Sequence, residues 1–379
     1  MLHDEQGIIA TLFKRLEAQR RASLDAHVTY NADGRVTELS IEDAGLSELP
    51  AEIRRLTVLE MLDLSFNQFD HIPVELLDLP ALRSLDMHGN HVQNISAEIA
   101  QLGSLETLDL SGNQLMTFPE MLCALPRLQV LDLNGNGTRK QRITALPAEI
   151  GRLRTLRSLT MAGCALSSLP PEIGDLRSLE WLNLAAVAGK LTALPETIGQ
   201  LKRLDYLYLT GYRLSKLPDT FWQLDQLSSL LIGKNQFQSL PKEIMYLSNL
   251  QLLSLRMNHL QEIPPEIGLL EQLVVFDVSG NQLSHLPAEI GLLEHLTDFD
   301  ISDNELEDLP AEIGDLPELF VLVVGNNPYL TDPPLSVARK GLEEIRCYFE
   351  QKKGKEAEER ARFPERKEKT KKHAKKKDR

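Results

Sequence analysis

Few side chains in this sequence stand at spacings that catalysis or metal binding would need. Gly189-Lys190 has no upstream glycine and no following Ser or Thr, so it does not form a phosphate-binding loop. The nine histidines are scattered, with no HExxH or CxxC-type pair. Asp298, Asp300 and Asp303 lack the glycine and the spacing of a calcium loop. The sequence therefore predicts no catalytic residue, no metal site and no cofactor.

The cysteines and the chain start indicate the compartment. Cys123, Cys164 and Cys347 are odd in number and unpaired in spacing, which argues against a disulfide framework and for a reducing compartment. The first residues lack a basic region and a cleavage site, and no stretch reaches 18 consecutive apolar residues. We therefore expect a cytoplasmic protein, and a monomer.

A repeated leucine pattern organises the chain. The spacing LxxLxLxxN recurs in about thirteen copies between residues 36 and 330, most of them 23 residues apart. Clear copies are Leu59-Leu62-Leu64-Asn67, Leu82-Leu85-Met87-Asn90, Leu105-Leu108-Leu110-Asn113 and Leu250-Leu253-Leu255-Asn258. Because one copy cannot bury both its flanks, only stacked copies are stable.

Each half of the repeat predicts a local structure. LxL alternates with period two, so it predicts a short strand with its leucines inward, and the Asn amide can satisfy turn groups. In Leu286–Gly291, Pro and Glu suit the start of a short helix, and Gly is expected to end it. The prediction is an α/β solenoid, a curved horseshoe with a parallel sheet on its concave face and short helices or 3-10 turns on its convex face.

The repeats resemble a known family. LPAEIGxLxxL at residues 146–156, 286–296 and 309–319 is similar to cytoplasmic 23-residue leucine-rich-repeat proteins, the class related to Ras-group and Roco repeats. Asp332-Pro333-Pro334, with Val337, Gly341, Ile345, Tyr348 and Phe349, looks like the segment that often follows such repeats. The resemblance implies a horseshoe fold and protein recognition, and it names no partner.

The two ends differ from the repeats. Residues 1–35 are predicted to hold a capping helix and a lead-in, with Ile8, Ile9, Leu12, Phe13 and Leu16 at helical spacing; a membrane-surface helix is the alternative. Residues 331–350 are predicted to form the second cap helix, and 351–379 a disordered basic tail. The tail holds 14 Lys and Arg against 6 Asp and Glu, which leaves −22 on the remainder of this −14 chain.

Strand positions that point away from the core suggest where a partner binds. In copies seven to ten they place an apolar and aromatic patch, with a rim of three further residues, on the concave face. The predicted patch and rim are Trp181, Tyr206, Tyr208, Leu231, Leu252, Lys234, Arg256 and Met257. Scattered exposed apolar residues, or contact with the chain's own tail, is the alternative interpretation.

A second feature of the same face is an acidic stripe. Asp63, Asp86, Asp109 and Asp132 fall on successive strands about 4.8 Å apart. The stripe could receive a basic partner, or it could be a solvated form of the repeat.

Irregular copies cluster close to the patch. Cys164, Val187 and Tyr212 replace the repeat Asn, and extra residues lie around 137–141 and 188–190. This local departure from the pattern indicates either function or insertion drift.

These features favour a non-enzymatic scaffold that binds a protein, with a role in intracellular signalling or regulation and a small GTPase among the possible partners. An adaptor whose tail 351–379 binds nucleic acid or an anionic membrane is the alternative, and a solvated tail is the plainer interpretation. An enzyme would need a catalytic domain, for which about fifty residues after the repeats leave no room.

Overall fold

The computed structural model describes residues 2–19, 26–138, 141–187 and 189–362, without the side chains of 2–4, 12, 15–19, 26, 360 and 361. Across these ranges a short strand, a turn and a five-residue 3-10 helix repeat in order. The repeats number about thirteen, as predicted, and the structure confirms the solenoid of parallel strands with 3-10 turns on the other face.

The chain divides into two compact units. The first extends through Gln238 and also includes Tyr246–Asn258. Its strands are β1 Ala26–Tyr30, β2 Val36–Ile41, β3 Met61–Asp63, β4 Ser84–Asp86, β5 Thr107–Asp109, β6 Val130–Asp132, β7 Ser158–Thr160, β8 Trp181–Asn183, β9 Tyr206–Tyr208, β10 Ser229–Leu231 and β11 Leu252–Ser254. Strands β2 to β11 pair in sequence order and in parallel.

The second unit holds Ser239–Met245 and the chain from His259 onward. Its strands β12 Val275–Asp277, β13 Asp298–Asp300 and β14 Val321–Val323 pair in parallel. Helices α2 Leu335–Ala338 and α3 Leu342–Arg362 follow the last strand.

The inward leucines make the core, as their period predicts. Leu59, Leu62 and Leu64 are at most 2% exposed, and the corresponding residues are also buried in the later copies, except for half-buried Leu322 in the last one. Burying such a side chain contributes about 1.5–3 kcal/mol, so a stack of copies supplies the driving force that one copy lacks.

The repeat Asn ties each copy to the one before it. Asn67 is buried, its Oδ1 accepts from the amides of Ala44 and Leu46, and its Nδ2 donates to the carbonyls of Ile41 and Leu64. Equivalent bonds recur at Asn90, at Asn113 and at Asn235. The amide therefore satisfies buried peptide groups that the turn leaves unpaired, as predicted.

The second half of the repeat forms 3-10 helices, each begun in most copies by a Pro with extended backbone. They are η1 Ala51–Arg55, η2 Val74–Asp78, η3 Ala97–Gln101, η4 Glu120–Ala124, η5 Ala148–Arg152, η6 Pro171–Asp175, η7 Glu196–Gln200, η8 Asp219–Gln223, η9 Lys242–Tyr246, η10 Pro265–Leu269, η11 Ala288–Leu292 and η12 Ala311–Asp315.

The glycine of the LPxEIG motif does not end the helix, so that prediction was wrong: Gly291 lies inside η11 without a positive φ. A Cβ there would lie 2.5 Å from Cβ of Glu312. Close packing of neighbouring copies is the reason for the glycine.

Helix α1 Leu2–Gln19 precedes the strands. Its buried Glu5 accepts from the amide of Val36 at 2.8 Å and pairs with Arg35 at 3.0 Å, which ties the helix to the start of β2. Ile8 and Ile9 are buried, while the side chains of Leu12 and Leu16 lie outside the described residues. None of the described helices is both long and apolar enough to cross a membrane.

The lead-in to the repeats contains an antiparallel hairpin that was not predicted. Strands β1 and β2 pair in opposite directions around a turn in which Asn31 Oδ1 accepts from the amides of Asp33 and Arg35. Gly34 adopts φ 71° in this turn. Asp33-Gly34 is a recognised hairpin signal, so the sequence carried the information.

At the other end, α3 continues through Arg362, beyond the boundary predicted at residue 350. The prediction of disorder was therefore wrong for 351–362, and 363–379 lie outside the described residues. The segment is rich in Lys, Glu and Arg, which have high helix propensity. In addition, Lys352 contacts Asp332, and Lys353 bonds Asp315 at 2.6 Å, so the helix is also tied to the end of the repeats. Arg346 donates to the carbonyls of Leu316 and Leu319, which caps the last copy.

Candidate protein-binding surface

The predicted patch lies on the open face of the first unit, opposite the 3-10 helices. Strand register places Trp181 beside Tyr206, and Tyr208 beside Leu231. In β8 and β9 the middle residue is buried and the residues on either side of it are half-buried, so these side residues point outward. The structure thus confirms which side chains share this face, and their role in binding stays a prediction.

Three aromatic rings form the centre of the patch. The ring centroids of Trp181 and Tyr206 are 4.4 Å apart with an interplanar angle of 33°, and Trp181 meets Tyr208 edge-on at 5.3 Å. All three side chains are half-buried. Stacked rings hold one another in place, so a partner that contacts them orders few side chains on binding.

The phenol of Tyr208 is a hydrogen-bond donor at the edge of this cluster. Burial raises its pKa above the ordinary value, and the nearby Tyr206 and Asp205 raise it further. The hydroxyl therefore remains protonated at neutral pH and offers one polar contact within an apolar surface.

The apolar surface continues onto two more strands. Leu231 lies beside Tyr208 on β10, and half-buried Leu252 lies on β11. Buried Ser229 separates Leu252 from Tyr206 in the register. The five predicted members of the patch thus span four consecutive strands.

The rim residues follow β10 and β11 in the turns. Lys234 and Met257 adopt φ 53° and 54°, a left-handed conformation that costs a side chain about 1–2 kcal/mol. Most other copies place glycine there, for example Gly135 at φ 65°. Both rim side chains are exposed, Met257 by 55%, so the fold gains little from them. Asp43, Phe66, Asp303 and Asn326 adopt the same left-handed conformation at this position of other copies, so the strain belongs to the turn and does not by itself mark a binding site.

Arg256 is the remaining rim residue, and a glycine determines where its side chain lies. A Cβ at Gly233 would lie 2.9 Å from Cγ of Arg256. The stem of Arg256 therefore lies close over the turn that follows β10, and the residue as a whole is exposed.

We predict that Met257→Gly stabilises the fold while it removes a rim contact. Relief of the left-handed strain, about 1–2 kcal/mol, outweighs the looser unfolded chain, about 0.4–1 kcal/mol. We expect a net gain of about 0.5–1 kcal/mol in urea unfolding. Gly135→Ala, whose Cβ would meet nothing closer than 3.8 Å, is the reverse control and should cost about 1 kcal/mol. A loss of stability in Met257→Gly would contradict the strain argument.

The acidic stripe has a structural role in its own turns. Oδ1 of Asp63 accepts from the amide of Ser65 at 2.8 Å, and Asp109 and Asp132 bond the amides two residues on in the same way. Burial, with smaller contributions from neighbouring aspartates, raises the pKa of Asp86 and of Asp132. The sequence signal for this bond was a short polar residue two positions after most of these aspartates.

Cys164, Val187 and Tyr212, the three residues that replace the repeat Asn, differ in their surroundings. Tyr212 is buried, and its hydroxyl donates to the carbonyl of Leu184 at 2.5 Å and lies 3.5 Å from Sγ of Cys164. Burial raises the pKa of both Tyr212 and Cys164, so both stay protonated. Val187 instead points outward and is 76% exposed. The repeat pattern brings these three positions together, but it gives no sign that Tyr212 replaces the missing Asn bond.

No described residues form a group of three His, Cys, Asp or Glu side chains suited to a metal ion. Cys123 is buried, which raises its pKa to about 12, so its thiol is a poor nucleophile at neutral pH.

Comparison with known proteins identifies the family. The leucine rich repeat pattern matches residues 34–92 and 88–137, whereas no curated protein sequence matches significantly. A leucine-rich-repeat protein of Leptospira interrogans is 30% identical, with a TM-score of 0.72, over 83% of this chain and 86% of that protein. A plant peptide hormone receptor in complex with RGF2 is 31% identical, with a TM-score of 0.66, over 78% of this chain and 52% of the receptor chain. The chain belongs to the leucine-rich-repeat family.

Proposed function

We propose that this chain is a non-enzymatic scaffold that binds a partner protein through the aromatic patch. The observation that carries the proposal is the cluster of Trp181, Tyr206 and Tyr208, half-buried on the open face of the first unit. Aromatic residues that present a large rigid area to a partner dominate interface energies. The fold alone does not need them there, because most other copies carry small or polar residues at these positions.

The family supports a binding role. Leucine-rich repeats typically serve as protein-binding scaffolds, and a peptide hormone receptor similar to this chain is in complex with RGF2. Because this chain covers about half of that receptor, the likeness supports a binding surface and no particular ligand.

The test is affinity purification with quantitative mass spectrometry, with the wild-type chain as bait. Trp181→Ala combined with Tyr208→Ala should lower recovery of the partner at least about 30-fold, which corresponds to roughly 2 kcal/mol. Trp222→Ala is the matched control, because it removes the chain's other tryptophan, in η8 on the opposite side of the repeat. Its recovery should equal that of the wild type. Equal recovery of the partner by the double variant would contradict the proposal.

The finer parts of the proposal rest on sequence. We place the protein in the cytoplasm as a monomer, in signalling or regulation, with a small GTPase as one candidate partner class. The LPAEIG repeats that resemble the Ras-group and Roco class support this, as do three cysteines without paired spacing.

Two other surfaces stay in the proposal as secondary sites. The acidic stripe could contact a basic partner through the carboxylate oxygens that its turns do not use. Residues 351–379 could contact nucleic acid or an anionic membrane, although Lys352 and Lys353 are already engaged with acids of the chain. The uneven charge of the chain supports this second surface.

A further inference from the structure

A cleft of about 870 Å³ opens along one edge of the first unit, where copies four to seven leave their strands. Its described lining residues come from the segments that follow the strands β5, β6, β7 and β8. The cleft lies past the turns at the strand ends, and none of the aromatic patch residues lines it. It is therefore a surface that the proposed function does not use.

The cleft arises where the repeat loses its Asn. Cys164 stands at the Asn position and forms part of the lining, and its Sγ lies near Tyr212. Val187 takes the same position one copy later and turns outward. Arg142, from the longest copy, lines the opening and donates from Nη1 to the carbonyl of Gly163 at 2.7 Å, which fixes its guanidinium there.

The chemistry of the lining is apolar and cationic. Met116 and Val187 are 41% and 76% exposed, and both lie in the lining. Arg142 and Lys190 supply two positive charges, and none of the described lining residues carries a carboxylate. The side chain of Lys190 forms no hydrogen bond or ion pair with a described residue. Two cations at one opening stand out in a chain whose first 350 residues carry a net −22.

Size and charge together define the occupant. Four adjacent copies span about three strand spacings, or roughly 14 Å. That length matches about four residues of extended chain. We propose that this cleft binds a short extended segment of a partner protein that carries carboxylates on either side of an apolar residue. The apolar side chain lies against Cys164 and Ala165 of copy six, and the carboxylates on either side of it pair with Arg142 of copy five and Lys190 of copy seven.

The test uses a fluorescein-labelled peptide Asp-Glu-Leu-Glu-Asp, with Lys-Lys-Leu-Lys-Lys as the reversed-charge probe, and the full chain. Only the acidic peptide should raise the fluorescence anisotropy, and its binding should weaken as salt increases. Arg142→Glu with Lys190→Glu should weaken binding about tenfold or more. Arg177→Glu, at an exposed residue outside the cleft, is the matched control and should leave binding unchanged.

Two further measurements keep the result independent of folding and of the aromatic patch. Lys190→Glu alone removes no described side-chain contact, so it should fold normally and still weaken binding about threefold. The peptide should also protect the backbone amides of residues 141–144 and 164–167 from hydrogen exchange, and Trp181→Ala should bind it as the wild type does.

Three results would overturn the inference. They are the absence of acidic-peptide binding at about 1 mM, equal binding by the Lys190→Glu variant, and loss of binding in Trp181→Ala. The last result would place the peptide on the aromatic patch, whereas failure of the purification experiment alone leaves the cleft intact.

Discussion

Asn90→Ala should lower the free energy of unfolding of the first unit by about 3–5 kcal/mol, because it leaves several buried peptide groups without partners. Asn90 is 2% exposed. Its Oδ1 accepts from the amide of Phe69 at 3.1 Å, and its Nδ2 donates to the carbonyls of Leu64 and Met87 at 2.9 and 3.0 Å. Alanine can replace none of these bonds.

The loss should also be local. In a stacked repeat each copy contacts only its neighbours, so a weakened junction lets the copies on either side unfold separately. Urea unfolding should therefore become broader, and hydrogen exchange should accelerate first in β3 and β4. Broadening is the result that a uniform loss of stability would not produce.

Asn94→Ala is the matched control within the same copy. Asn94 is exposed, and its side chain makes no described hydrogen bond, so its loss should change stability by no more than about 0.5 kcal/mol. If Asn90→Ala cost as little as Asn94→Ala, water would have to replace the hydrogen bonds of the Asn90 amide. The structural role assigned to the repeat Asn would then be wrong.

The repeat could be predicted from sequence because its rules are local. The inward positions of Leu62 and Leu64, and the turn role of Asn67, follow from spacing within one copy. The open-face positions of Trp181 and Tyr206 follow from the same template, and the strand register confirms them. Period two along a strand is enough to assign a face.

Contacts between copies could not be predicted in this way. Gly291 looked like a helix end, yet the Cβ of Glu312, 21 residues later, is what excludes a larger residue. The contact of Lys353 in α3 with Asp315, 38 residues earlier, likewise lies outside any pattern within one copy. A pattern within one copy carries no information on how closely its neighbour packs.

The candidate site also has features that the sequence predicts and features that only the structure shows. The members of the aromatic patch were predictable, whereas the left-handed strain at Lys234 and Met257 appears only in the backbone angles. The cleft was signalled by the lost Asn at Cys164 and Val187, but its volume and its cationic opening require the fold. Irregular copies in the sequence indicate where a site could lie, and only the structure shows which side chains line it.

Tyr212 is the side chain through which the fold tolerates those irregular copies. Its hydroxyl bonds the carbonyl of Leu184, 28 residues earlier, which a repeat Asn at position 187 would otherwise approach. A Cβ at Gly189 would lie 2.1 Å from the Tyr212 ring, so the glycine makes room for it. The ring and the hydroxyl therefore have separate and measurable contributions.

Tyr212→Ala should destabilise the first unit by about 3–5 kcal/mol, since it removes a buried ring and leaves a cavity. Tyr212→Phe keeps the ring and removes only the donor to Leu184, so it should cost about 1–3 kcal/mol. Urea unfolding of both variants measures the two contributions, with Tyr246→Ala, at a tyrosine 55% exposed, as a control expected to change little. Equal stability of Tyr212→Phe and the wild type would mean that the Leu184 carbonyl finds another donor, and the bond across the irregular copies would then contribute nothing. A graded loss of unfolding free energy, larger for alanine than for phenylalanine, would show that Tyr212 stabilises the irregular copies through both packing and hydrogen bonding.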